Sequence, residues 1–168
     1  RRGGCGNKPG IQASQEIMKT LLRFGLLVLT STSLALAGAE GWLTNWEAAK
    51  AKAKAENKPI LINLTGSDWC TWCIKLEKEI LSQKAFKEFA AENLVLMDAD
   101  FPKKKPQSEE LKKQNAALEK EYLAGGYPTI WLLDAEGKKL STEDLGELKV
   151  GPEAFIAKIK ELIAKAKK

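Results

Sequence analysis

Two cysteines three positions apart carry the most evident chemistry in this sequence: Cys70 and Cys73, set in Trp69-Cys70-Thr71-Trp72-Cys73. The loop they close is so short that a bond between them removes little chain entropy. Such a pair suits reversible chemistry better than stapling. A thiolate on one cysteine attacks a disulfide, the second cysteine attacks the mixed disulfide, and the pair ends oxidised. The motif follows a short apolar run and opens a helical pattern, so unpaired backbone N–H groups and the positive helix end favour a thiolate at Cys70. Cys70 is therefore expected as the exposed nucleophile, with Cys73 one turn further in and more buried. Half of a zinc site is one alternative, but it needs two further ligands. The chain has no His, and its only other cysteine is Cys5. A merely structural disulfide is the other. On the redox reading no metal and no dissociable cofactor is needed, because the Cys70–Cys73 disulfide is itself the redox centre.

The elements around the motif must position it. Trp42, Trp46, Ala49 and Ala53 are spaced 4, 3, 4, one face of a helix with Thr44 or Asn45 as N-cap, ended by Asn57-Lys58-Pro59. Ile60–Leu64 reads as a strand buried on both faces. A helix from about Cys70 has Cys73, Leu76 and Ile80 inside. Ser82 is read as capping a further helix with Phe86, Phe89 and Ala90. Leu94–Met97 is the next strand, and 98–107 a polar loop with Lys103-Lys104-Lys105, read as a solvated run. Ser108-Glu109-Glu110 starts a helix whose inner face is Leu111, Leu118 and Tyr122, ended by Gly125-Gly126. Thr129–Leu133 is a strand, turned by Asp134-Ala135-Glu136-Gly137 into a short strand near 138–141. Gly151-Pro152 opens the last helix, with Phe155, Ile159, Leu162 and Ala166 inside. The order predicts an α/β fold: a mixed sheet, parallel then antiparallel, between helices.

The 168 residues suggest one domain behind a leader. Lys19 and Arg23 precede an apolar run from Phe24, and Ala35-x-Ala37 offers the small residues that signal peptidase needs. That apolar part is about 14 residues, against roughly 20 for a membrane span. Residues 18–37 are thus expected to be a cleaved export signal, with an uncleaved anchor as the alternative. Residues 1–17, upstream of Met18, are expected to lie outside the natural product, and Cys5 with them. The domain is then 38–168. Residues 1–37 hold five of the 27 Lys/Arg and one of the 22 Asp/Glu, so the body carries 22 against 21. A near-neutral body gives no ground for nucleic-acid binding.

At this point the sequence resembles the thioredoxin superfamily over roughly residues 42–167, through Trp69-Cys70-x-x-Cys73 after a strand and Gly126-Tyr127-Pro128-Thr129 before one. Its motif is similar to that of exported bacterial thioredoxin-like proteins with Asp-Trp-Cys-x-x-Cys, such as the C-terminal domain of the transmembrane disulfide reductase. The resemblance implies a thioredoxin fold and a cis proline at Pro128 beside the disulfide, with the Tyr127 backbone free to pair with an extended substrate. Trp69 and Trp72 are the further candidate substrate contacts. Three departures stand out. Asn63 occupies the place where many thioredoxins have a buried Asp that accepts the inner cysteine's proton, and Asn cannot take one. It is read as a hydrogen-bonded core amide, leaving Asp68 or Glu77 to supply a base. The dipeptide between the cysteines is Thr71-Trp72, with no His, which leans towards a reductant. Finally, 55 positions separate Cys73 from Pro128, a surplus expected in the loop 101–107.

The reading that follows is an exported, periplasmic or secreted thiol–disulfide oxidoreductase, a reductant or isomerase more than an oxidase. Its partners are disulfide-bearing proteins and an upstream thiol electron donor or acceptor. A monomer is expected, meeting the membrane only through its export signal. A non-catalytic binding or chaperone module competes, although such a module needs neither cysteine. A thiol peroxidase is disfavoured because no Thr-x-x-x-Cys occurs and no Arg follows residue 23.

Overall fold

The computed structural model describes Gly3, residues 41–147 and residues 150–166. The expected export signal at 18–37, the cleavage point after Ala37 and Cys5 lie outside the described residues. In chain order the elements are β1 (Trp42–Leu43), α1 (Trp46–Glu56), β2 (Ile60–Thr65), α2 (Thr71–Leu76), a π turn (Glu77–Leu81), α3 (Lys84–Asn93), β3 (Val95–Asp100), α4 (Glu109–Tyr122), β4 (Thr129–Leu133), a 3-10 turn (Leu145–Glu147) and α5 (Pro152–Ala166).

The strands form one sheet in the order β1-β3-β2-β4. β1 and β2 run parallel to β3, and β4 runs antiparallel to β2. Strand alternation divides the core into two layers. Ile60, Ile62, Leu64, Val95, Met97 and Ala99 face Ala49 and Ala53 of α1 and Leu118 and Tyr122 of α4. Leu61, Ile130 and Leu132 face Leu76, Phe86, Phe155 and Ile159 on the other side. The result is the expected mixed sheet between helices.

This topology places the site. β4 is antiparallel to β2, with Leu64 opposite Thr129, so the segment leading into β4 lies beside the chain leaving β2. Residues 57 positions apart, Cys70 and Tyr127, meet there.

Five local expectations are corrected. Trp42 is not on the first helix: it pairs with Leu96 across β1 and β3, and the helix starts at Trp46, where Asn45 Oδ1 accepts the Ala48 N–H at 2.8 Å. β3 does not end at Met97 but runs to Asp100, because Leu96, Asp98 and Asp100 alternate with the buried Val95, Met97 and Ala99. The strand expected near 138–141 is reduced to a single bridge, Leu133 to Lys139. Ser82 closes the π turn, its N–H bonding to the Glu77 carbonyl at 2.8 Å; the following helix has Gln83 at its N-cap. On α4 the buried face is Asn115, Leu118 and Tyr122, and Leu111 is half-buried.

Candidate functional site

Cys70 is the N-cap of α2, held extended at φ −83° and ψ 107°. Its sulfur therefore turns back over the first turn and accepts the Cys73 N–H at 3.2 Å. Cys70 and Cys73 are joined in a disulfide with their Cα atoms 5.2 Å apart. Cys70 Sγ lies 3.6 Å from the Tyr127 carbonyl oxygen, and Cys73 Sγ accepts the Gly66 N–H at 3.5 Å. Once the disulfide is reduced, the same N–H groups are positioned to stabilise thiolates. The expectation of an exposed Cys70 is corrected: the residue is 7% exposed, against 4% for Cys73. The sulfur turns over the first turn of α2 to accept the Cys73 N–H, and the Tyr127 carbonyl lies against it.

The loop before the motif is built by close contacts. A Cβ at Gly66 would come within 2.5 Å of the Trp69 indole, so only glycine lets that ring lie over the loop. Trp69 Nε1 donates to the Phe101 carbonyl at 2.7 Å, and its ring meets Tyr127 edge-on at 5.8 Å. Trp69 is half-buried and serves to frame the loop. Ser67 bonds to Asp100 through both its N–H and its hydroxyl. The Asp68 carboxylate accepts the backbone N–H groups of Lys103, Lys104 and Lys105 at 3.0, 2.7 and 3.2 Å. These bonds, that of Lys103 foremost, hold its pKa below the usual carboxylate range. Asp68 thus anchors the 101–107 loop to the motif, and its lone pairs are occupied by amides. That loop also sets Lys103 Nζ over the Trp69 ring at 3.9 Å.

The Tyr127–Pro128 peptide bond is cis. The Tyr127 hydroxyl donates to the Glu119 carboxylate and its ring packs on Phe101, so the side chain is tied to α4 while its carbonyl faces Cys70. Burial and the Glu119 charge push the phenol pKa up. An open groove of about 1040 Å3 runs between Trp72, Leu76 and Ile80 on one side and Gly126, Tyr127 and Pro128 on the other. Trp72 stands 62% exposed at its edge. Trp72, Tyr127 and Pro128 are therefore brought together along one groove.

Behind Cys73 is a second, smaller cavity of about 430 Å3, lined among others by Trp42, Asn63, Thr65, Glu77 and Asp98. Asn63 pairs with Asp98 in the β2–β3 register and donates to its Oδ1 at 2.9 Å. Burial, then the Asp100 charge, raises the Asp98 carboxyl to about 7, against the lowering effect of the Asn63 bond. Desolvation also raises Glu77, opposed by Lys87. Asp98 is the residue that sequence reasoning missed. The apolar/polar alternation of 95–100 could have extended the strand past Met97, but it assigns Asp98 to the polar face, and only the β2–β3 register brings it beside Asn63. Among the described residues no group of three His, Cys, Asp or Glu side chains could hold a metal ion, and no helix is long and apolar enough to cross a membrane.

Comparison with known proteins fits this geometry. A thioredoxin-like family model matches residues 41–135. The disulfide bond reductase DsbH of Chlamydia pneumoniae is 39% identical over 121 residues, 70% of this chain and 72% of that protein. A solved structure of a DsbH oxidoreductase superposes with a TM-score of 0.64 at 39% identity, covering 69% of this chain and 79% of that one. The thiol:disulfide interchange protein DsbD of Klebsiella pneumoniae is 33% identical over 95 residues, 56% of this chain but 14% of that longer protein.

Proposed function

This chain belongs to the thioredoxin-like family and is a protein-disulfide oxidoreductase, and we propose that it acts outside the cytoplasm as a reductant or isomerase of disulfides in other proteins. The observation that carries the reading is the Cys70–Cys73 disulfide at the N-terminus of α2, beside the groove between Trp72 and Pro128. In this mechanism the Cys70 thiolate attacks a substrate disulfide lying along that groove and forms a mixed disulfide. Cys73 then attacks Cys70 and releases the reduced substrate. Trp72 supplies an apolar contact, and the Tyr127 backbone lines the path of an extended substrate segment. The reducing direction is supported by the absence of His between the cysteines and by the printed name of the DsbH relative. Partners would be disulfide-bearing proteins and a thiol donor that re-reduces the pair, with the chain working as a monomer.

The test is an equilibration in glutathione buffers, followed by tryptophan fluorescence. A two-electron transition near about −270 mV is expected for a reductant, and one near about −120 mV would make the protein a disulfide donor instead. No transition, with thiol counting in agreement, would overturn the assignment of exchange to this pair.

A further inference from the structure

The cavity behind Cys73 holds a polar pair that the exchange chemistry above does not use. Asn63 and Asp98 are directly opposed in the parallel register of β2 and β3, so both side chains leave the sheet on the face towards α2. The amide donates through Nδ2 to Asp98 Oδ1. Its own oxygen, Asn63 Oδ1, is buried with no hydrogen-bond partner among the described residues. A buried acceptor without a donor is costly, and native interiors keep few of them. An ionised Asp98 has no proton to offer that oxygen. A protonated Asp98 does, because a carboxylic acid and a primary amide match donor to acceptor on both sides. The pair is complementary to the neutral acid, and Cys73 lines the same cavity.

We propose that Asp98, oriented by Asn63, accepts the Cys73 thiol proton when Cys73 resolves the mixed disulfide, an inference that rests on the exchange reading above. At that stage Cys70 is bonded to a substrate sulfur. The Asp98 carboxylate takes up the Cys73 Sγ proton across the cavity that both residues line, and the thiolate electron pair forms the Cys73–Cys70 bond. The bond between Cys70 and the substrate breaks, and its electron pair leaves on the substrate sulfur, which takes a proton from solvent. Two electrons pass from the enzyme dithiol to the substrate disulfide, and Asp98 returns its proton to solvent before the next cycle.

The surroundings favour this use. Asp100 on the same strand and Glu77 on the π turn push the Asp98 carboxyl up. Asn63 on β2 and Lys105 on the loop pull it down, and burial leaves it at about 7. Lys78 also lines the cavity. A carboxyl titrating there is part-ionised at neutral pH and can take and release a thiol proton. Asn63 is thus a positioning residue, and the acid sits one strand over from the place the family resemblance suggested.

The experiment measures two rates in the full chain with a disulfide-linked peptide probe. Attack by Cys70 is followed in Cys73→Ser, and resolution in the wild-type cysteine pair. Asp98→Asn is expected to slow resolution about tenfold or more relative to attack at neutral pH, and to remove the inflection near neutrality from its pH profile. Glu77→Gln should keep that inflection. An unchanged ratio of the two rates in Asp98→Asn, or an inflection that follows Glu77 instead, overturns the proposal. A second readout needs no Asp98 variant: the Asp98 carboxyl carbon shift in the wild type should titrate at a different pH in reduced and oxidised protein, and identical titrations overturn it as well. If Cys70 makes no attack at all, the exchange reading falls first and this inference with it. Attack with resolution indifferent to Asp98 removes this inference alone.

Discussion

At the motif itself the two sulfurs have different neighbours. Cys70 lies against the Tyr127 carbonyl, while Cys73 is held from the Gly66 N–H and faces the inner cavity. Substitution should separate their roles. Cys70→Ser is expected to abolish turnover, whereas Cys73→Ser should still react once and stay as a mixed disulfide, visible as the added mass of the probe. Trp72 is exposed at the groove edge, with Lys75 Nζ 5.5 Å from its ring centroid. Losing an aromatic contact of this kind costs about 0.5–1.5 kcal/mol. Trp72→Ala should therefore raise KM for apolar peptide disulfides roughly two- to tenfold and leave the melting temperature unchanged. Trp69 behaves differently from its neighbour because its indole is hydrogen-bonded and wedged over Gly66. Sequence alone gives both tryptophans the same standing beside the motif.

The elements that hold the motif are short and depend on one another. α2 has six residues and passes directly into the π turn, so it is too short to be stable by itself. The extra residue in the wider turn lets both Ile80 and Leu81 reach the core. Beneath them Phe86 of α3 is fully buried, its ring 6.0 Å from that of Phe155 on α5. Phe86→Ala should cost about 3–5 kcal/mol in a denaturant melt, with the sheet side of α1 and α4 little affected. Gly66→Ala acts at the junction of β2 and the motif. Its methyl would collide with the Trp69 ring, so the variant should lose about 1–3 kcal/mol and show an altered potential, read in the same glutathione titration. Asp68→Ala frees three amides at once, and the expected signature is faster hydrogen exchange at Lys103, Lys104 and Lys105.

Across the whole molecule, stability should fall as pH rises through neutrality. The Asp98 carboxyl titrates at about 7 in the folded chain and at about 3.9 in an unfolded one. Between those values the folded state holds a proton that the unfolded state has released, so raising the pH draws the equilibrium towards unfolding. Glu77, also raised, adds in the same direction. Carboxyls that are lowered, such as Glu56 and Glu161, matter only in more acid solution. Melting the oxidised protein at pH values from about 5 to about 8 should show a declining midpoint, and Asp98→Asn should flatten the decline. The proposed export is a property of the full chain too. Expressed in a bacterium, the protein should be recovered outside the cytoplasm with a mass that begins at Gly38; a product retaining 18–37 on the membrane would replace cleavage by anchoring.

The fold and the redox pair were legible in the sequence because their signals are local. Cys-x-x-Cys after an apolar run, Tyr127-Pro128 before another, and helical spacing in 152–166 each depend on neighbours in the chain. Trp42 misled because its spacing from Trp46 and Ala49 fits a helix face, while a two-residue strand has no period to reveal it. The hairpin after Gly137 forms only one bridge, Leu133 to Lys139, because turn chemistry specifies a reversal of the chain but not how many ladder bonds follow it. Asp98 lay beyond sequence reasoning for a different reason. Its place beside Asn63 and Cys73 is set by the register of β3 against β2, and its raised carboxyl by burial and by Asp100 and Glu77. Sequence determined which groups could exchange electrons. Tertiary structure alone decided which acid stands behind the inner thiol, because strand register and burial are properties of segments far apart in the chain.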